Sequence, residues 1–194
     1  MKQKNGALYK ILSISCIIAV LFSACDSASD RMKNVMRKMR SVPVNLSLDK
    51  MECWTTDSIL LVCPWKHAKY KLVHYVDSTT CSTCYLQKMA LQEELFSMEK
   101  ETDNGFYNIF VVDPAKNNSN IQRLKLEYDN KKLPSTIFLD SGGVFSKENP
   151  NIPKEFLYHT FLLDKKNNVV FIGNPIANPS VKKKMYDIIR TGLK

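Results

Sequence analysis

Lys71-Leu-Val-His-Tyr-Val-Asp-Ser-Thr-Thr-Cys-Ser-Thr-Cys84 decides how this chain is read. Its opening, Lys71 to Val76, is a β-prone apolar run, and it delivers Cys81 and Cys84 to the start of a helical pattern from Tyr85 to Lys100. A cysteine at the first turn of a helix meets unpaired amides and the positive end of the helix dipole, which stabilise the thiolate that attacks disulfides. A second cysteine three residues on lies about one helical turn away, where it can displace a partner bound to the first. Half of a zinc site is also written CxxC, but no second CxxC or closely spaced His pair completes four ligands. Neither a metal nor a cofactor is therefore assigned.

Outward from the motif, strand and helix signals alternate. Leu86, Met89, Ala90, Leu91, Leu95 and Met98 form a broad apolar stripe on the helix from Tyr85. Gly105 precedes a second β-prone run, Phe106 to Val112, closed by Asp113-Pro114. Asn118-Ser119 caps a helix through Tyr128 that carries Ile121, Leu124 and Leu126. Ser135 to Leu139 is a strand ended by Asp140-Ser-Gly-Gly143, and Phe156 to Leu163 turns at Asp164–Asn168 into Val169 to Ile172. A helix from Ser180 to Arg190 ends the domain. Upstream, Val42 to Leu48 and Ile59 to Val62 are expected as short strands. This order specifies an α/β domain with a mixed central sheet, helices on both faces and an N-terminal strand extension.

The N-terminus sets the redox compartment. Lys2, Lys4 and Lys10 precede an apolar core, Ile11 to Phe22, too short to span a membrane comfortably and ending in small residues, as a secretory signal does. Leu21-Phe-Ser-Ala-Cys25 resembles a bacterial lipoprotein cleavage box, in which Cys25 becomes the lipidated first residue; a short uncleaved anchor is the other reading. Expected divisions are a leader at 1–24, a lipid-anchored tether at 25–41 and one domain at 42–194. Within the tether, Met32, Val35, Met36 and Met39 fall at helical spacing among cations, either against an anionic membrane surface or docked on the domain. Export to a bacterial envelope, periplasm-facing, removes the dithiol from the cytosolic reducing pools, so a working reductase needs an electron donor at the membrane. Loss of the three leader lysines takes the formal charge from +9 to +6. Basic residues are spread without aromatic interleaving, which argues against nucleic acid.

Of six cysteines, Cys16 leaves with the leader and Cys25 carries the lipid, leaving Cys53, Cys63, Cys81 and Cys84. Cys81 with Cys84 is the expected functional couple. Cys53 and Cys63 lie in apolar, strand-like runs, either as small buried hydrophobes or as a staple across a hairpin.

By this order of elements the chain resembles the membrane-tethered thioredoxin-like proteins of the TlpA and AhpC/TSA group, over roughly Val42 to Leu193. Phe110-Val-Val-Asp113 resembles the second core strand, Leu133-Pro-Ser-Thr-Ile-Phe-Leu-Asp140 with Ser141-Gly-Gly a strand and turn before a short helix, and His159-Thr-Phe-Leu-Leu-Asp164 the last hairpin. The resemblance implies a thioredoxin-like fold and thiol–disulfide exchange, with exported protein thiols or disulfides as partners. It also implies a cis-proline before the last hairpin, facing the CxxC and holding the partner chain. Here Tyr158 or His159 stands there, and a non-proline cis bond costs about 2.5–4 kcal/mol, so this peptide is expected to be trans and the groove altered. Pro134 is the rival candidate.

The entering strand offers no carboxylate beneath the motif before Asp77, which either takes part in proton transfer or caps the loop. His74 is expected to be a hydrogen-bonded core histidine, and His159 to lie near the sulfurs. Three other function classes stay open. A non-enzymatic binding lipoprotein would use the disulfide structurally. A peroxidase would use Ser78, three residues before Cys81, although His74 stands where such enzymes carry proline. A copper site would draw on Cys81, Cys84 and His159.

Overall fold

The computed structural model describes residues 29–55, 63–103, 105–114, 118–131 and 135–193. Residues 29–39 form a helix, α1, in which Lys33 pairs with Asp30 at 3.2 Å. The chain divides into two compact units, the second beginning at Met39. Among the described residues no helix is long and apolar enough to cross a membrane.

The second unit is built on a six-stranded sheet in the order β1-β4-β3-β2-β5-β6. Its strands are β1 (Glu52–Trp54), β2 (Tyr70–Val76), β3 (Phe106–Val112), β4 (Ile137–Leu139), β5 (Thr160–Leu163) and β6 (Val169–Ile172). β2, β3 and β4 run parallel, whereas β1, β5 and β6 pair antiparallel with their neighbours, so the sheet is mixed. β2 and β3 are near-continuous apolar runs because both of their faces are covered.

Alternation of side chains divides the core in two. Leu72, Val76, Phe106, Phe110, Val112, Ile137 and Leu139 meet the apolar stripes of α2 (Ser82–Met89), α3 (Glu93–Glu101), α4 (Asn118–Lys131) and α6 (Pro179–Leu193). On the opposite face Tyr75 packs on Phe145 of the short α5 (Val144–Glu148), and Trp65 stands edge-on to Phe138 at 5.1 Å. Helices thus flank the sheet on both sides, as the order of elements requires.

Several local expectations change. The helix from Tyr85 breaks: Leu91 and Gln92 donate to Lys88 and Met89 in tight three-residue closures, and Gln92 leaves helical geometry. Leu91 and Leu126, both assigned to apolar stripes, are 79% and 62% exposed. The expected strand Val42 to Leu48 joins no sheet: Val44, Leu46 and Leu48 are buried, but Val42 is 49% exposed. Its Asn45 amide and carbonyl are taken by the side-chain amide of Asn149, both at 2.8 Å, and Ser47 turns left-handed into a 3-10 turn at Leu48–Lys50. The expected strand from Phe156 begins only at Thr160, after a 3-10 turn at Phe156–Tyr158. The expected strand at Ile59–Val62 lies outside the described residues.

The turn after β4 closes on a buried carboxylate. Asp140 accepts the amides of Val144 at 2.7 Å and Phe145 at 2.8 Å, capping α5. Asp140→Ala is expected to lower stability by about 1–2 kcal/mol. Urea unfolding midpoints check this, with Asp140→Asn expected to lose less because it keeps one acceptor.

Candidate active site

Parallel strands β2 and β3 end together, and the motif follows directly from β2 at their carboxyl edge, where open α/β sheets form crevices. Asp77 shapes the approach: one carboxylate oxygen accepts the Thr79 amide at 3.2 Å and the hydroxyls of Thr79 and Thr80 at 2.9 and 2.8 Å. Of its two expected roles, this geometry is that of a loop cap. Cys81 is then the N-cap of α2: its carbonyl accepts from Tyr85 at 3.0 Å and its sulfur from the Cys84 amide at 3.3 Å. A Cys81 thiolate therefore has a backbone donor and the positive end of the helix in place.

Cys81 and Cys84 are joined as a disulfide, with Cα atoms 5.3 Å apart. Both are exposed. Cys84 does not face inward, because the inward face of α2 is filled by Tyr85, Leu86 and Met89. The distinction between the two sulfurs therefore rests on the N-cap and not on burial. A small cleft of about 160 Å³ beside Cys81 is lined by Ser78, Thr80, Thr83, Pro114, Asn120 and Arg123, among others. Pro114 and the α4 residues had no signal in the sequence, since only the parallel β2–β3 register brings them to the motif.

A buried polar line runs beneath α2. Tyr85 donates its hydroxyl hydrogen to His74 Nδ1 at 2.8 Å in the tautomer that carries the proton on Nε2, while Thr160 bonds the Tyr85 oxygen. His74 Nε2 and Asn108 Oδ1 are both buried, on residues that are diagonal neighbours across β2 and β3, with no other hydrogen-bonding partner among the described residues, and the Asn108 side chain favours the charged His74 ring. Asn108 Nδ2 donates to Leu95 O at 3.1 Å and to Glu99 at 3.0 Å, and its backbone amide also donates to Glu99. Phe110 stacks on His74 at 4.5 Å. The core-histidine expectation holds. Glu99 and Asn108 were not singled out in the sequence: they meet only because α3 packs on β3.

Burial depresses His74 to about pKa 3, against the opposing effect of Asn108. Burial also raises Glu99 from 4.5 to about 7, against its bonds from Asn108. Glu99 holds its proton better folded than unfolded, so its contribution to stability is complete below about pH 4.5 and is lost as pH rises through 7. His74 acts in the opposite sense. Its contribution is complete above about pH 6.5 and is lost as pH falls toward 3. Glu99→Gln should remove the decline between 4.5 and 7, and His74→Phe the decline on the acid side, in urea midpoints measured across this range. An unchanged profile in Glu99→Gln would contradict the raised carboxyl.

Tyr158 and His159, the residues expected to face the motif, lie immediately before β5. His159 immediately precedes β5, the antiparallel strand beside β2, and its carbonyl accepts from the Tyr75 amide at 2.8 Å. His159 Nε2 meets the Pro153 carbonyl at 2.9 Å and its ring packs on Tyr75, Tyr158 is buried, and neither lines the cleft beside Cys81. Phe156 is the residue of this turn that reaches α2, edge-on to Tyr85 at 6.2 Å. Among the described residues every peptide is trans, including Tyr158–His159, and no group of three His, Cys, Asp or Glu side chains is disposed to hold a metal. Ser78 lines the cleft. Pro134 and Cys25 lie outside the described residues.

The sequence matches no family model and no curated protein. Among solved structures, a thioredoxin-like protein determined in its oxidised form aligns over 79% of this chain and 98% of its own, at 15% identity and a TM-score of 0.50. StoA from Bacillus subtilis aligns over 60% of this chain and 83% of its own, at 23% identity and a TM-score of 0.42. The thioredoxin domain of a thiol-disulfide oxidoreductase from Bacteroides vulgatus aligns over 61% and 81%, at 18% identity and a TM-score of 0.40. The fold is thioredoxin-like, and the CxxC disulfide stands at the start of its α2 helix.

Proposed function

We propose that the protein is an exported, membrane-anchored thiol–disulfide oxidoreductase that exchanges electrons with exported protein cysteines through Cys81 and Cys84. The observation that carries this reading is the exposed disulfide at the N-cap of α2, with the Cys84 amide directed at the Cys81 sulfur. In the reducing direction the Cys81 thiolate attacks a partner disulfide, forming a mixed disulfide and releasing one partner thiolate. Cys84, deprotonated, then displaces the second partner sulfur. The partner leaves as a dithiol, and the Cys81–Cys84 disulfide is restored for an electron donor at the membrane to reduce. Read backwards, the same steps oxidise a partner dithiol.

Alkylation after mild reduction tests the assignment of roles: Cys81 should be modified first because its thiolate has the helix-end donor. Preferential labelling of Cys84 would reverse the two roles. Anchoring rests on the cleavage box before Cys25. Cys25→Ala should give a chain released from membranes and lacking the lipid mass, whereas unchanged mass and retention would leave the uncleaved-anchor reading.

A further inference from the structure

Cys53 and Cys63 take no part in the site above. They were expected as small buried hydrophobes or as a staple, yet each is only half-buried, and Cys63 lies in a turn and not in a strand. Cys53 is the middle residue of β1 and lies directly opposite Phe138 of β4, so their side chains emerge on the same side of the sheet. Trp65 packs edge-on to that same Phe138 ring. Cys63 stands two residues before Trp65, in a left-handed conformation (φ 42°) that lets its carbonyl accept the Lys66 amide at 2.9 Å and start the turn Pro64–Lys66. Both cysteines therefore converge on one aromatic corner, and both line the same cavity together with Leu48, Met51, Trp65 and Phe138. This is the face of the sheet away from α2.

We propose that Cys53 and Cys63 form a second disulfide, a structural bridge between the edge strand β1 and the turn that carries Trp65. The need for one is visible in β1. It has three residues and, among the described residues, β4 as its one neighbouring strand, and strands this short contribute little pairing. A bridge between residues 53 and 63 closes a short loop and removes freedom from the unfolded chain. The Cys53 thiol is pushed up by burial first and by Cys63 second, which makes it a poor attacking group and separates this pair in kind from the one at the helix start. In forming the bridge, two thiols give up two protons and two electrons to a disulfide oxidant such as oxidised glutathione, which leaves as two thiols. In the cell the bridge rests on the exported location proposed above; its chemistry does not depend on exchange at the CxxC.

The test uses the full chain with Cys81→Ser and Cys84→Ser, so that failure of the exchange activity cannot obscure the result. The protein is equilibrated in glutathione buffers, trapped with an alkylating agent and mapped by peptide mass. A linked Cys53–Cys63 peptide pair is expected, persisting in buffers where reduced glutathione exceeds oxidised, with a thermal midpoint several degrees higher than that of the reduced chain. Cys53→Ser and Cys63→Ser should each lose the same increment as the double substitution, because either removes the whole bridge. Recovery of both as separately alkylated or glutathionylated cysteines under excess oxidised glutathione would overturn the proposal, as would additive losses in the two single variants.

Discussion

Cys81→Ser is expected to lower disulfide reduction by at least about 10³-fold, to the level of uncatalysed exchange, because it removes the nucleophile at the helix start. Cys84→Ser is expected to behave differently. It retains the first attack but cannot release the partner, so mixed disulfides with Cys81 should accumulate and turnover should stop after one cycle. Both effects follow from the placement of the pair: Cys81 caps α2 and receives the Cys84 amide, while Cys84 sits one turn on, also exposed and already bonded to it. Trapped complexes on non-reducing gels and insulin-type reduction assays read the two variants directly. Reduction at the parental rate in Cys81→Ser would sink the oxidoreductase reading. A parent protein with no exchange would leave the non-enzymatic binding reading, with a structural disulfide.

Phe110→Ala is expected to have the largest effect on stability, a loss of about 3–5 kcal/mol. Phe110 is buried at the centre of β3 and stacks on His74, so its removal leaves both a cavity and a histidine with one wall missing. Total stabilities of about 5–15 kcal/mol make this loss large enough to unfold much of the sample. Phe110→Leu keeps most of the volume and should cost about 1–2 kcal/mol. In that variant the His74 titration, followed by NMR, should move up from about 3 as its desolvation eases. A variant as stable as the parent would show that the stacked ring is not part of the packed core.

The relation between Glu99 and His74 bears on the same region. A thioredoxin-like domain with no carboxylate on the strand entering its CxxC nonetheless carries a half-buried acid on α3, joined to Asn108 on β3 beside His74 and Tyr85. The line spans α3, two central strands and the first turn of α2. Its members hold opposite protonation preferences, which is why the two pH dependences described above run in opposite directions.

Much of this was legible locally. Strong runs such as Lys71–Val76 and Phe106–Val112 specify strands by composition, and the position of Cys81 at the junction with an apolar helical stripe specifies an N-cap. The turn Asp164–Asn168 is likewise local: Asp164 accepts the amides of Lys166 and Asn168 at 2.8 and 2.9 Å within five residues of chain. Such features depend on neighbours a few residues away, whose identities the sequence states directly.

Other features were decided at longer range. Val44, Leu46 and Leu48 alternate as a strand would, but the amide of Asn149, over a hundred residues on, takes the Asn45 backbone groups that a neighbouring strand would have paired. The apolar stripe from Leu86 to Met98 does not reveal that the helix breaks at Leu91, because hydrophobic spacing alone does not define where the axis bends. His159 keeps its place before β5, yet its ring is drawn to Pro153 and Tyr75, and this orientation depends on how a loop packs. The sequence by itself determined the central strands β2 and β3, the order of the main elements and the place of Cys81 and Cys84 at a helix start, since these follow from local propensity and spacing. Only the tertiary structure decided the sheet register, the cleft that Arg123 joins and the meeting of Glu99, Asn108 and His74, because each requires residues distant in sequence to be brought into contact by packing.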